Sequence, residues 1–263
     1  MNDGDRLREV LARRHRLLER LAEGRADKPT LVADLPVARS TVDRGIRDLE
    51  EVGCVDRVGG EFRANAAGRA ALAAYDCYAD ATDGVTEARE LLAHLPPDVE
   101  LPPRMLAGAD VYVAEDHAPE RVIAPVADAA QDADRVRATA PVLYSRYLDN
   151  LVSVVESGVE FEAVVARAVV ESARDIDAEK VDRLNRSDHY ESYITEAELP
   201  YAVMLTERDG EWTVALVVYD GGAPRGVLMN DTDAAVGWAR AHYRTVRAEA
   251  DAAESGDLRG RPT

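Results

Sequence analysis

Apolar residues recur every three or four positions in the first 50 residues, which predicts a small helical domain at the start of the chain. A first amphipathic helix is predicted over residues 5–22, where leucine and valine supply the apolar positions. Leu31 and Leu35 lie four residues apart and therefore share one face of a second, short helix. Pro36 ends that helix, because its ring prevents the next helical hydrogen bond.

From Ala38 onwards the helical period returns in a third predicted helix. Val42, Ile46 and Leu49 share one face of it, which we expect to be buried. Gly53 predicts the end of this helix, because glycine readily adopts the left-handed backbone conformation that closes helices.

A hairpin is predicted directly after the third helix. The segments 55–58 and 61–64 flank Gly59-Gly60, a pair typical of two-residue hairpin turns. Helix, turn, helix and hairpin in this order predict a winged helix-turn-helix, a fold that binds double-stranded DNA.

The polar side of the third helix carries the residue types that contact DNA. Arginine, serine and threonine form hydrogen bonds with base edges and with phosphates. The predicted contacts from this helix are Arg39, Ser40, Thr41, Arg44 and Arg47. Arg57 and Arg63 lie on the hairpin strands and are predicted to reach the minor groove or the DNA backbone. The alternative is that these arginines form a solvated face of a small helical domain.

Beyond residue 105 short apolar runs alternate with helical periods. Strands are predicted at 109–114, 135–141, 159–170, 191–194, 201–207, 212–219 and 226–230. Helices are predicted at 119–130, 143–157, 178–185 and 233–250. This alternation predicts an α/β domain with a mixed sheet. The glycine-rich segment 220–226 predicts either a tight hairpin or a ligand-binding loop that contains Arg225.

Composition shifts divide the chain into four predicted parts. Residues 1–80 form the winged helix-turn-helix domain, and residues 81–104 form a linker helix followed by a proline-rich linker. Within these parts, one helix is expected from residue 65 or 66 to about residue 80, and a break at residues 80–84 separates it from the linker helix. Residues 105–250 form the α/β effector or assembly domain, and residues 251–263 are expected to be a disordered tail.

The net charge of −18 argues against a nucleic-acid partner, but its distribution weakens that objection. Residues 1–70 hold 14 basic and 13 acidic residues, whereas the remainder holds 18 basic and 37 acidic residues. Only Lys28 and Lys180 are lysines. Abundant acid with scarce lysine is typical of proteins from extreme halophiles. At molar salt the Debye length is about 3 Å, so binding to DNA would depend on direct contacts rather than long-range attraction.

Several function classes have no sequence support. No apolar run is long enough to span a membrane and the N-terminus is polar, so a cytoplasmic protein is expected. Cys54, Cys77 and the five histidines show no metal-ligand spacing. No motif of a nucleophilic, phosphate-binding or dinucleotide-binding site is present. We therefore expect no catalytic residues, no metal, no cofactor and no enzymatic activity.

The N-terminal motifs resemble those of archaeal winged-helix transcriptional regulators. The similarity lies in Arg39-Ser-Thr-Val-Asp-Arg-Gly-Ile-Arg-Asp-Leu49 and Gly53-Cys-Val55. The remainder is similar to the regulator domain first described in a methanogenesis regulatory protein and widespread in haloarchaea. The matching segments there are Leu101-Pro-Pro103, Arg135-Val-Arg-Ala-Thr-Ala-Pro-Val142, Gly158-Val-Glu-Phe161 and Leu199-Pro-Tyr201. The resemblance implies a homodimeric transcription factor whose C-terminal domain senses a molecule or mediates assembly.

The C-terminal domain also resembles phospholipase D-like folds. The enzymes of that fold use a His-x-Lys pair, but Ala26 and Ala178 occupy the positions two residues before the only lysines. The resemblance therefore implies a phospholipase D-like domain without the catalytic motif.

An effector site is predicted at the carboxyl ends of the strands, where open α/β sheets bind ligands. Its candidate residues are Arg137, Tyr144, Arg167 and Arg225, which would bind a small anionic metabolite. The alternative is that these arginines form ion pairs with neighbouring carboxylates. Two functions remain: a sequence-specific, dimeric DNA-binding regulator, or a small-molecule-binding or protein-interaction module whose winged helix does not contact DNA.

Overall fold

The computed structural model describes residues 2–115 and 117–252, and the chain divides into two compact units between Asp80 and Ala81. The first unit contains three helices, a hairpin and the beginning of a long helix. These elements are α1 (Asp3–Glu23), α2 (Lys28–Asp34), α3 (Arg39–Glu51), β1 (Val55–Val58), β2 (Glu61–Ala64) and α4 (Ala66–Leu92). Every helix and strand predicted for residues 5–64 is present.

The core of the first unit forms from the apolar faces that the sequence pattern predicts. Leu18 of α1, Leu31 of α2 and Leu49 of α3 are completely buried in one cluster. The hairpin joins this core through Phe62, whose backbone pairs in both directions with Ala26 in the connection between α1 and α2. Burying apolar surface on all three helices and on the hairpin holds them in one arrangement.

Backbone conformation at two turns explains the glycines that the sequence places there. Gly53 has a φ of +73° after the end of α3, as predicted. Gly59 and Gly60 have φ values of +61° and +95°, the left-handed pair that a two-residue hairpin turn requires. At Gly68 in α4 the reason is close packing, because a Cβ there would lie 2.0 Å from the carbonyl oxygen of Cys54.

The second unit is built around an eight-stranded mixed sheet in the order β10-β6-β5-β4-β7-β8-β9-β3. Strands β4, β5 and β6 are parallel, and all the other neighbouring pairs are antiparallel. The strands are β3 (Asp110–Val113), β4 (Arg135–Ala140), β5 (Glu160–Ala166), β6 (Tyr190–Thr195), β7 (Tyr201–Arg208), β8 (Glu211–Asp220), β9 (Ala223–Asn230) and β10 (Asp251–Ala252). The predicted α/β domain with a mixed sheet is confirmed.

Helices cover both faces of this sheet. They are α5 (Pro103–Leu106), α6 (Ala124–Gln131), α7 (Ser145–Glu156), α8 (Arg167–Leu184) and α9 (Asp233–Ala248), with a 3₁₀ helix at Pro119–Ile123. On one face α9 packs against β7 and β8, and Val203, Leu216 and Tyr243 are buried there. On the other face lie α6, α7 and α8, and α7 and α8 pack against each other. Helix α7 connects the parallel strands β4 and β5, and α8 connects β5 and β6. Two parallel strands can be joined only by such a crossover connection, which passes over one face of the sheet.

Two predictions for the region around α4 are corrected by the structure. The break expected at residues 80–84 is absent, since α4 runs without interruption from Ala66 to Leu92. Gly84 serves close packing instead, because a Cβ there would lie 2.1 Å from the carbonyl oxygen of Leu106. Residues 81–104, predicted as a linker, group with the second unit, and Ala88 and Leu91 are buried in its core.

The strand predicted over 159–170 ends at Ala166, and Arg167 is the first residue of α8. An apolar run of valine and alanine does not by itself distinguish a strand from a helix, which explains the error. Asp177 has non-helical φ and ψ angles of −162° and 93° inside α8. Its carboxylate accepts a hydrogen bond from the Lys180 amide at 3.1 Å and thereby caps the second half of the helix.

The segment predicted as a disordered tail begins with a short strand. Asp251 and Ala252 pair with Ile194 and Tyr193 of β6 and extend the sheet by one strand. Residues 253–263 of the predicted tail lie outside the described residues.

Candidate nucleic-acid interface

Helix α3 presents one apolar and one polar side, as its sequence predicts. Val42, Ile46 and Leu49 are buried against α1 and α2. Ser40, Arg44 and Arg47 follow each other at spacings of four and three residues and are exposed on the opposite side. Arg39 and Thr41 lie on either side of this stripe, with Arg39 exposed and Thr41 half-buried. The five residues predicted on α3 therefore lie on its outward part, with Ser40, Arg44 and Arg47 at the centre.

Carboxylates on α3 are bound by basic side chains from the two preceding helices. Asp43 pairs with Lys28 of α2 at 2.6 Å, and Asp48 pairs with Arg14 of α1 at 2.8 Å. Glu51, which continues the outward stripe, pairs with Arg6 of α1. Three acidic charges of α3 are thus compensated from outside the helix. The sequence pattern does not indicate these partners, because they are distant along the chain.

The arginines of α3 have no such partner within residues 2–115. Arg39, Arg44 and Arg47 form no salt bridge in that range, although each is exposed. A hydrogen bond from Lys28 holds the pKa of Asp43 below its ordinary value, and the charges of Arg39 and Arg47 contribute at longer range. Their guanidinium groups are therefore exposed and are not held in a salt bridge within residues 2–115, although Asp43 and the exposed Glu50 lie on the same helix.

The beginning of α3 adds a second feature that favours anions. Ala38 caps this 13-residue helix without a side-chain hydrogen bond, and the first turn contains no acidic residue. The first amide groups of a helix lack partners inside it and carry a partial positive charge. With Ser40 and Thr41 in the same turn, this end of α3 suits a phosphate group.

The two arginines that are predicted to contact DNA from the hairpin lie on its opposite faces. Arg57 pairs with Phe62 across the hairpin and its guanidinium lies 5.7 Å from the centre of the Phe62 ring, on the side that faces the core. Arg63 pairs with Asp56 on the opposite side. Both side chains are exposed, and because successive residues of a strand point to opposite faces, the two arginines leave the hairpin from opposite faces.

The four residues predicted for an effector site are not brought together. Arg137 lies on the sheet face covered by α9, 5.9 Å from the centre of the Trp212 ring. Arg167, now at the start of α8, pairs with Glu196. Arg225 and Tyr144 both contact the β8–β9 hairpin, Arg225 through Asp220 at 3.5 Å and Tyr144 through the carbonyl oxygen of Gly222. Arg167 and Arg225 are thus in ion pairs, as the alternative interpretation expected.

The described parts of the chain offer no cluster of three potential metal ligands among His, Cys, Asp and Glu. Within the same residues, no helix has both the length and the apolar character of a membrane span.

Two family models match the chain, one in each part. Residues 119–249 match the model described as methanogenesis regulatory protein FilR1, middle domain. Residues 5–87 match the model described as HVO_A0261 N-terminal domain. The chain is a transcription-regulator-like protein. A comparison with curated proteins finds no match.

Solved structures give weaker likenesses to this regulator-like chain. TrmBL2, an archaeal chromatin protein, has 13% identity and a TM-score of 0.42, and the match covers 94% of this chain and 98% of TrmBL2. The phospholipase D family member NUC from Salmonella typhimurium has 13% identity and a TM-score of 0.41, covering 56% of this chain and 99% of that one. Both TM-scores are too low for either likeness to assign the fold.

Proposed function

We propose that this chain is a sequence-specific, dimeric DNA-binding regulator of transcription whose first unit is a winged helix-turn-helix, with α3 in the major groove. The observation that carries the proposal is the charge arrangement of α3. Lys28, Arg14 and Arg6 compensate three of its four carboxylates, while its exposed arginines form no salt bridge within residues 2–115. Such a surface suits guanine edges and phosphates, which bind arginine through hydrogen bonds. The match to a regulatory family supports the same function.

Binding would take place at high salt. The chain carries a net charge of −18, and its abundant acid with scarce lysine is typical of proteins from extreme halophiles. At molar salt, screening removes most long-range attraction and repulsion between the acidic second unit and DNA. Affinity would then depend on base contacts and shape, which the stripe of Ser40, Arg44 and Arg47 supplies.

The test begins with the selection of preferred duplexes from a random pool by the full chain in multimolar KCl. Arg44→Ala is then titrated against the selected duplex, and each lost base contact is expected to cost about 1–3 kcal/mol. Arg208→Ala is the matched control, since Arg208 is also exposed but pairs with Asp132 at 3.0 Å in the second unit. Equal affinity of both variants would contradict the role of α3.

Dimerisation is proposed through α4. Tyr78 is 65% exposed and Val85 is 45% exposed, and they lie seven residues apart on this helix, hence on one side of it. Leu72 and Tyr75, which lie nearby on α4, instead pack against the core of the first unit. Two half-sites read by two copies would raise both affinity and specificity.

Light scattering at high KCl tests this step. The native chain is expected to be a dimer, and Tyr78→Glu combined with Val85→Glu is expected to give monomers that bind DNA more weakly. Val113→Glu serves as the control, because Val113 is 51% exposed on strand β3. A monomeric native chain would contradict the proposed dimer.

The proposed function includes no enzymatic activity. The His-x-Lys pair of phospholipase D chemistry is absent from the sequence, because alanine stands two residues before both lysines. The second candidate function is an interaction module that uses the same surface for an acidic protein partner. Failure of the full chain to enrich any duplex from the random pool would favour that candidate.

A further inference from the structure

A cavity of about 210 Å³ in the second unit lies between the sheet and helices α6, α7 and α8 and is partly open to the surface. Protein interiors are packed as densely as organic crystals and contain few voids larger than a water molecule. An apolar cavity of about 150 Å³ is already large enough to bind benzene. This cavity therefore has room for a small organic molecule.

Small side chains along the sheet create this space. Ala138 and Ala140 of β4, Ala163 of β5 and Ala202 of β7 all line the cavity. These strands are neighbours in the sheet, so the alanines form a continuous shallow floor. On the face covered by α9, β5 and β7 carry Val164, Val203 and Leu205, which are completely buried.

The residues that line the cavity extend across five strands of the sheet. Its lining extends from Tyr190 on β6 to Tyr219 on β8, and β5, β4 and β7 lie between these two strands. Four strand spacings correspond to roughly 19 Å. A narrow space of this length suits a chain-like molecule better than a compact one.

No charged side chain lines the cavity. None of its lining residues, all of which belong to the described part of the chain, is Asp, Glu, Lys, Arg or His, although 31% of the sequence is charged. An ion moved into such a space would lose its hydration without gaining a partner. The lining therefore selects against the anionic metabolite that the sequence predicts.

Hydroxyl groups lie at the two ends of the lining. At one end, loss of solvent raises the pKa of Tyr219 well above its ordinary value, and the neighbouring Tyr147 raises it further. At the other end, loss of solvent raises the pKa of Tyr190 to about 12, although Ser192 hydrogen-bonds to its hydroxyl. These tyrosines stay neutral and can exchange hydrogen bonds with an oxygen atom of a bound molecule.

We propose that this cavity binds a neutral, elongated molecule that is mainly hydrocarbon and carries a hydroxyl or carbonyl oxygen at one end. The hydrocarbon lies over the alanine floor, between the sheet and α7. The terminal oxygen contacts the tyrosine hydroxyls at one end of the cavity. This site belongs to the second unit alone, so it does not depend on DNA binding by the first unit.

The test uses straight-chain alcohols from 1-octanol to 1-dodecanol with the full chain in high KCl, and decanoate as the charged analogue of 1-decanol. Isothermal titration is expected to show saturable 1:1 binding of at least one alcohol. Decanoate at pH 8 is expected to bind at least about tenfold more weakly, because its charge has no partner in the cavity. Tighter binding of decanoate, or no binding of any alcohol, would overturn the proposal.

A substitution that fills part of the cavity with a larger side chain tests where the alcohols bind. Ala163→Leu is expected to abolish alcohol binding and to raise the melting temperature of the chain, since it occupies the cavity. Ala241→Leu is the matched control, because Ala241 is exposed on α9, away from the cavity. If Ala163→Leu fails to fold, as judged by circular dichroism, the smaller change Ala138→Val replaces it. Undiminished binding by the folded variant would show that the alcohols bind elsewhere and would overturn the proposal.

Discussion

Arginine occurs in two electrostatic settings in this chain. On α3 of the first unit, Arg39, Arg44 and Arg47 are exposed and form no salt bridge within the described residues of that unit. In the second unit, arginines of the sheet and its helices mostly pair with carboxylates. These pairs include Arg135 with Glu160 and Glu207, Arg167 with Glu196, Arg183 with Glu156, Arg208 with Asp132 and Arg225 with Asp220.

This difference distinguishes arginines that stabilise the fold through ion pairs from arginines that are available to bind a partner. A guanidinium bound by a carboxylate of its own chain must give up that contact before it binds an external anion. A guanidinium whose nearby acids are already bound elsewhere does not pay that cost. On α3 this separation is made by Lys28, Arg14 and Arg6, which bind three of the four acids, while the arginines stay exposed.

The largest expected effect comes from reversing one charge in each setting. Arg47→Glu is expected to weaken binding to a selected duplex by at least about 30-fold, because it replaces a contact with repulsion of the phosphates. Arg208→Glu, in the second unit, is expected to leave DNA affinity unchanged. Fluorescence anisotropy at constant KCl measures both. Similar losses in the two variants would mean that total charge, and not its location, controls binding.

For the free energy of unfolding we expect the reverse order: replacing a paired arginine of the second unit matters more than replacing an unpaired arginine of α3. Arg135 of β4 contacts Glu160 at 2.8 Å and Glu207 at 3.3 Å, and so connects three neighbouring strands. Arg135→Met is expected to lower the free energy of unfolding by about 1 kcal/mol, near the upper end for a partly exposed ion pair. Arg44→Met, with no ion pair to lose, is expected to change it by less than about 0.5 kcal/mol. Denaturation in guanidinium chloride measures both values.

The first unit is predicted well from sequence, because local patterns determine it. The spacing of Val42, Ile46 and Leu49 gives the buried side of α3, and Gly59-Gly60 gives the turn of the hairpin. The outward residues of α3 follow from the same periodicity. The ion pairs of α3 with α1 and α2 do not, because they depend on how the helices pack together.

The second unit shows the limits of local patterns. The apolar run 159–170 holds a strand end and a helix start, and the change at Arg167 follows from packing on the sheet. The cavity of the second unit cannot be predicted from the sequence for a related reason. Its floor is composed of alanines from separate strands, and only the strand order brings Ala138, Ala163 and Ala202 together. No local spacing in the sequence indicates such an arrangement.

A double-mutant cycle tests whether the ion pair between Lys28 of α2 and Asp43 of α3 affects DNA binding by α3. Lys28→Gln leaves Asp43 without its partner beside Arg39 and Arg47, and is expected to weaken DNA binding about threefold, the size of an exposed ion-pair effect. Asp43→Asn alone is expected to strengthen binding slightly. The double variant is expected to return towards the native affinity. A double variant as weak as Lys28→Gln would instead indicate a direct contact between Lys28 and DNA.

The smallest expected effect is a pH dependence confined to the second unit. His242 lies between the Trp238 ring at 5.3 Å and the Tyr201 ring at 5.6 Å, and burial lowers the pKa of His242 below its ordinary value of 6.5. The unfolded chain therefore binds this proton at a higher pH than the folded chain does. The stabilisation is complete above about pH 7.5 and decreases as the pH falls through 6.5 towards the lower folded value. His242→Phe keeps an aromatic ring at this position but removes the titration. Comparing unfolding free energies of the two proteins between pH 7.5 and 5 is expected to show a smaller decrease for the variant. A decrease of equal size in both would mean that the ion pairs of the sheet, and not His242, set the acid sensitivity in this range.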